Sequence, residues 1–392
     1  MYPKVRFRGF DESWRTEKLK NIGESFSGLS GKKSSDFGHG EAKYITYLNI
    51  LNNPIIDTKL TDKIEIDNKQ HLVKKGDIFF TISSETPQEV GLSSVLDTNL
   101  NECYLNSFSF GYRLKEISMF DNLFNSYNFR SPNFRRKMYI LAQGISRYNI
   151  SKKAVLNETI CFPKISEQKQ IGKLIKLMNS LLSLQQRKLE LISALEKGLG
   201  QIIKQQNNKY GITFSLNNFL EIPPQIQARI KNKNQLLTVK LNLQGLARGV
   251  QRDTLSLGST KYFIRHTGEL IFGKQNIFNG SIALITKEFD GLATSNDVPS
   301  LKISNINPQF LFYLLKNPDF WKHTELIATG TGSKRVHIHD LLKLHIKIIP
   351  DAKYQAKIVS LSRNFEKIVL NQQIIVKECE KTKQFLLQNL FI

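Results

Sequence analysis

The strongest constraint in this sequence is that it is written twice. Ser131-Pro132-Asn133-Phe134 precedes Leu141-Ala142-Gln143-Gly144, then Ser146-Arg147-Tyr148-Asn149-Ile150, Phe162-Pro163, and Gln168 to Ile171. The same order returns as Asn317-Pro318-Asp319-Phe320, Ile327-Ala328-Thr329-Gly330, Ser333-Lys334-Arg335-Val336-His337-Ile338, Ile349-Pro350, and Gln355 to Ile358. The offset runs 186, 188, then 187 residues, so two small length changes are expected. Upstream, Lys75-Gly76-Asp77-Ile78-Phe79-Phe80 corresponds to Thr267-Gly268-Glu269-Leu270-Ile271-Phe272, a Gly-acid turn leading into an apolar run that reads as a buried strand. A duplicated chain must fold into two similar units or into one pseudosymmetric one.

After each Pro the periodicity changes. Ser166 can cap a helix that has Glu167 in its first turn. Alternate steps of three and four then select Ile171, Leu174, Met178, Leu181, Gln185, Lys188, Ile192, Leu195, Leu199 and Ile202. Adding 187 selects Ile358, Leu361, Phe365, Ile368, Gln372, Ile375, Cys379, Thr382, Leu386 and Asn389. Such a seam predicts two long helices that pair as an antiparallel coiled coil, with Gln185 and Gln372 fixing register. At ~1.5 Å per residue each helix extends roughly 58 Å. The predicted organisation is a mixed domain over 1–163, helix and polar linker over 164–211 (the linker being 205–211), a second mixed domain over 212–350, and a second helix over 351–392. The fold class is therefore α+β in tandem, each α/β domain followed by one long helix.

Composition narrows the function. The 392 residues carry 56 Lys+Arg against 34 Asp+Glu, a formal net charge of +22. It divides into +11 for 1–211 and +11 for the rest. An excess of this size in a chain with 40% apolar residues favours a polyanionic partner, nucleic acid before membrane. No run approaches the ~18 apolar residues of a membrane span, and the basic start lacks the apolar core of a secretory signal. Cys103, Cys161 and Cys379 are too far apart for a thiolate zinc site or a disulfide framework, which suits a reducing cytoplasm.

Catalytic motifs are hard to find. Asn52-Asn53-Pro54-Ile55 and Ile222-Pro223-Pro224-Gln225 both miss the Asn/Asp-Pro-Pro-aromatic loop with which amino-methyltransferases hold a flipped base. Acid-x-Lys triplets recur too often in a Lys-rich chain to single out a nuclease centre. Four of the seven histidines lie between His323 and His345. His337, His339 and His345 would share one face of a continuous strand near Asp340. A metal-dependent nuclease built on that region is the alternative function, although the first copy offers only Asn149 and Ser151 at matching places.

Polar loops are better candidates. Lys32 and Lys33, in a Gly/Ser-rich turn, can hold phosphate with ammoniums and backbone N–H groups. Gln244, Arg248, Gln251 and Arg252 offer the side chains that read adenine and guanine edges. The loops that follow the paired Gly-acid strands carry Ser83, Ser84 and Gln88 in the first copy and Lys274, Gln275 and Asn276 in the second. They differ while their supporting strands match, which predicts two surfaces reading different things. The repeated turns with Arg147 and Tyr148, and with Lys334 and Arg335, are predicted backbone clamps.

Together these segments resemble the specificity subunit of type I restriction-modification enzymes over nearly the whole length. The resemblance rests on the Pro3-Lys4-Val5-Arg6-Phe7 start with Phe10 and Trp14, the Gly76-Asp77 strand, the Gly then Ser-Arg turn ending in Ile150, and Pro163-Lys164-Ile165-Ser166-Glu167-Gln168-Lys169-Gln170-Ile171. The second copy, Pro350 to Ile358, lacks the Glu. The resemblance implies two target-recognition domains, each reading half of a bipartite double-stranded DNA site, with the helices acting as spacer. It also implies docking of two methyltransferase subunits and of motor-nuclease subunits. S-adenosylmethionine, ATP and Mg would belong to those partners, with no cofactor and no catalysis in this chain.

Overall fold

The computed structural model describes residues 1–249 and 260–392, which form two compact units. One consists of Met1–Lys188 with Gln373–Ile392, the other of Leu189–Gln372. Each unit therefore contains one mixed domain and part of both long helices, Ile165–Tyr210 and Ala352–Asn389.

The two units are built alike. In the first, a four-stranded antiparallel sheet runs in the order Gly23–Ser27, Ser109–Leu114, Ile78–Thr81, Ser93–Val95. In the second the order is Leu220–Glu221, Ser300–Ile303, Leu270–Phe272, Ile282–Leu284. The Gly-acid strand is internal in both, and its residues Ile78 to Phe80 and Leu270 to Phe272 are fully buried, as an apolar run without alternation requires. The acid that opens each strand folds back in the same way. Asp77 accepts from the backbone N–H of Lys74 and Glu269 from that of His266, each three residues earlier. Their other partners differ: Arg113 forks onto Asp77 at 2.7 and 2.6 Å, whereas Ser300 donates to Glu269 at 2.6 Å.

A two-stranded ribbon closes each domain, Arg15–Lys18 with Thr159–Phe162 and Ile212–Ser215 with His345–Ile348. Short helices sit between, and Asp121 and Asn307 cap corresponding ones with their side chains. Ser151 and His337 precede corresponding helices as well, and the buried Val155 and Leu341 occupy matching places in them. From Asp121 the structural offset is 186 residues through Ile348 and 187 from Asp351 onwards, so within this stretch a single residue, Pro350, is inserted. The expected offset of 188 over the Ser-Arg turn is thereby corrected. The closing pairs Gln143 with Asn149 and Thr329 with Arg335 set the frame, and they align Ile150 with Val336 rather than with Ile338.

In both units the long helices pack on their domain and on each other in the antiparallel sense. Ile171 and Ile175, near the start of the first helix, share a core with Leu390 and Phe391 at the end of the second. Ile203, near the end of the first, shares the other core with Ile358 and Val359 near the start of the second. The expected linker at 205–211 is helical through Tyr210. Its Asn207 is buried and accepts a hydrogen bond from Ile349 N–H at 3.2 Å, so a tertiary contact overrides the polar composition.

The seam is also corrected. Alternate members hold: Ile171, Met178, Gln185, Ile192 and Leu199 face inward, as do Ile358, Phe365, Gln372, Cys379 and Leu386. The intervening members move by one residue. Ile175 is buried, and Leu182 and Leu189 half-buried, where the pattern selects Leu174, Leu181 and Lys188. Leu181 and Leu195 are exposed by 40% and 63%. On the second helix Ser362, Val369 and Val376 replace Leu361, Ile368 and Ile375. Spacings of 3-4 and 4-3 are both heptads, and with apolar residues at 174 and 175 and at 181 and 182 only the neighbouring surface selects between them.

Candidate nucleic-acid interface

The start of each long helix is locked to its domain by the same glutamine. Gln168 is fully buried; its Oε1 accepts from Asp121 N–H at 3.0 Å, and its Nε2 donates to the carbonyls of Met119 at 3.0 Å and Pro163 at 2.8 Å. In the second copy Gln355 accepts from Asn307 N–H at 3.4 Å and donates to Ile349 O at 3.3 Å. Beside it in the first copy, Glu167 takes a two-pronged hydrogen bond from Arg6 at 2.8 and 2.7 Å. That pairing raises the Arg6 pKa. The equivalent residue in the second copy is Tyr354, whose ring meets Phe310 edge-on, so the missing Glu removes a contact within the chain.

With each domain positioned, the loops beyond the Gly-acid strands meet the repeated Gly turns. In the first domain Ser83–Ser84 pairs antiparallel with Tyr148–Asn149. Arg147 Nε donates to Ser83 Oγ at 2.8 Å, and its guanidinium carbon lies 5.9 Å from the centre of the Phe108 ring. Tyr47 Oη donates to the Ser83 carbonyl at 2.9 Å, and burial pushes the Tyr47 phenol up. Ser84 donates to Glu89, while the backbone carbonyl of Gln88 accepts from Arg135 at 2.7 Å and leaves the Gln88 side chain exposed. Four of the expected residues, Ser83, Ser84, Arg147 and Tyr148, thus form one cluster.

The second domain uses the same frame with other side chains. Val336 N–H donates to Lys274 O at 2.8 Å, as Ile150 N–H donates to Ile82 O at 2.9 Å. Arg335 sets its guanidinium 2.7 and 3.1 Å from Gln275 when the amide oxygen faces it, and lies 3.6 Å from Asp297. Lys334 pairs with Glu325 at 2.8 Å. The segment holding Gln244 is tied to this loop through Asn242 N–H to Asn279 O and Leu243 N–H to Gly280 O, both 2.9 Å. Asn276 is exposed beside them, and Arg248 donates to Glu288 O at 3.1 Å. Gln251 and Arg252 lie outside the described residues.

Lys32 and Lys33 belong to a different turn. Lys32 pairs with Asp67 at 2.8 Å and holds that carboxyl well below the usual aspartate range, whereas the Lys33 side chain is exposed. The histidine face dissolves: His337 precedes a short helix, His339 lies within it, and His345 opens a strand. The strand expected to align the three does not form there, because Ile338–Leu342 is helical, turning the histidines away from a period of two. Among the described residues no cluster of three or more potential metal ligands occurs.

No motif points to Phe108, Tyr47 or Arg130. Arg130 is mostly buried, closes the Tyr47–Asn52 helix by donating to the carbonyls of Ile50, Leu51 and Asn53, and has its pKa lowered to about 10 by that burial. The glutamine lock, by contrast, is visible as a repeated letter at both helix starts.

Residues 11–209 match the family model described as the type I restriction modification DNA specificity domain. The chain belongs to that family. This specificity-family chain is 20% identical over 410 aligned residues to the type I restriction enzyme MjaVIII specificity subunit of Methanocaldococcus jannaschii, covering 95% of this chain and 91% of that one. Two solved structures share its fold. The S subunit of a type I restriction-modification system from M. genitalium superposes with a TM-score of 0.56 at 13% identity, over 100% of this chain and 99% of the other. The HsdS subunit from Thermoanaerobacter tengcongensis gives 0.55 at 13%, over 97% of both. The chain is thus a DNA specificity subunit, and among its described residues no helix is long and apolar enough to cross a membrane.

Proposed function

We propose that this specificity subunit is non-catalytic and reads a bipartite DNA site, one half per domain, so directing adenine methylation or restriction by partner subunits in the cytoplasm. The observation that carries this reading is the duplicated frame with exchanged side chains: Ser83 and Arg147 on one copy, Gln275 and Arg335 on the other. Guanidinium and amide groups are the usual readers of base edges and phosphates, and different sets on one scaffold suit different half-sites. Titrating DNA binding against salt tests it. If about six phosphates are neutralised, log K falls against log salt with a slope of about −5. A flat response would remove DNA as the partner.

The helices support the choice of protein partners. Leu177, Leu181, Leu184, Leu191, Leu195 and Ile202 on the first helix are exposed and follow steps of four and three. A second stripe of that kind suits helices of two methyltransferase subunits, which would supply S-adenosylmethionine, while motor-nuclease subunits would supply ATP- and Mg-dependent chemistry. Changing Leu184 and Leu191 together to Glu is expected to weaken methyltransferase co-purification about tenfold, the order expected for ~1.4 kcal/mol of lost apolar contact, with little change in melting temperature. Undiminished recovery of the complex would place the partners elsewhere.

A further inference from the structure

The two Gly turns share one frame and differ at the tip. Backbone pairs close both: Gln143 and Asn149 exchange bonds of 2.9 and 2.8 Å, and Thr329 and Arg335 do the same at 2.9 and 2.8 Å. Gly144 has φ +143° and Gly330 φ +122°. A Cβ at Gly144 would lie 2.0 Å from the Arg147 carbonyl oxygen, so the turn closes only on glycine. The next residue is Ile145 in the first domain and Thr331 in the second. Ile145 is 97% exposed, an aliphatic side chain held in water at the end of a tight turn.

What surrounds that tip indicates its partner. Arg147 stands two residues on, anchored to Ser83 and lying over the exposed Phe108 ring. A cation next to an unpaired apolar group suits a surface that is itself anionic with an apolar point. The major groove of DNA is such a surface, and the thymine 5-methyl is the apolar group on its edge.

We propose that Ile145 reads a thymine through its 5-methyl group in the half-site bound by the first domain, with Arg147 engaging the adjoining backbone. This inference rests on the DNA-reading function above and adds a residue and a base to it.

The test is base selection from a pool of duplexes randomised in both half-sites. The full chain, assembled with methyltransferase subunits, is compared with its Ile145→Ser variant, which has no side-chain methyl to offer. Wild type is expected to prefer thymine at one position of one half-site. The variant loses about fourfold of that preference, the worth of one buried methyl, and selects the other half-site unchanged. Uracil at that position costs wild type the same factor and costs the variant nothing further. Because the side chain is exposed, both proteins should melt together. An unchanged selection profile overturns the contact, as does a loss at a position that does not favour thymine, or uniform weakening at every position. A wild type that selects no sequence at all overturns the DNA-reading function as well, so the two failures are distinct.

Discussion

Replacing Gln168 with alanine is expected to destabilise the first unit by about 3 kcal/mol, because three hydrogen bonds of a fully buried side chain are lost at roughly 1 kcal/mol each. The deletion also leaves Asp121 N–H and the carbonyls of Met119 and Pro163 without their glutamine partner, the last of them in a buried place. At Gln355 the same change removes two bonds near the outer limit of length, 3.4 and 3.3 Å, and should cost about 1 kcal/mol. Urea unfolding separates the two, since Trp14 belongs to the first unit and Trp321 to the second. Fluorescence of Trp321→Phe and Trp14→Phe backgrounds reports each unit in turn. Equal losses at the two glutamines would mean that the number and length of their hydrogen bonds do not set their contributions, since alanine is the better helix former at both places.

Exchanging Thr238 to Gly280 for the matching segment of a relative should change one half of the methylated motif and leave the other intact. Each wrong base pair in a specific site costs about 1–3 kcal/mol, so two altered pairs shift preference between old and new motifs by about 2–6 kcal/mol, or roughly 30-fold to 10⁴-fold. The segment carries its own closing bonds, from Asn242 and Leu243 N–H to the carbonyls of Asn279 and Gly280. It includes the buried strand Leu270–Phe272 and Ile277, so the donor must keep apolar residues there for the unit to fold. Methylation-sensitive sequencing of host genomes with each version reads the result. A change in both halves, or in neither, would break the assignment of one half-site to each domain.

Much of the architecture is legible in the sequence because duplication turns weak signals into paired ones. The Gly-acid strands, the glutamines at the helix starts and the heptad spacing each occur twice. The binding surface is less legible. Ser83 and Arg147 are 64 residues apart in sequence, and Phe108 lies outside any motif, yet the three meet where a loop and a turn pair. Lys32 looks like a free phosphate ligand in its Gly/Ser setting, but Asp67 approaches it across a turn. No local pattern encodes such a neighbour.

The amino-acid sequence by itself determined that there are two similar α+β domains, two long helices and a basic surface, since repeats, heptads and charge are properties of the order of residues. Only the tertiary structure decided which apolar stripe of each helix is covered. Ile175 is buried and Leu181 exposed although both fit a heptad, because the domain and the partner helix cover one side of that cylinder and leave the next open to water.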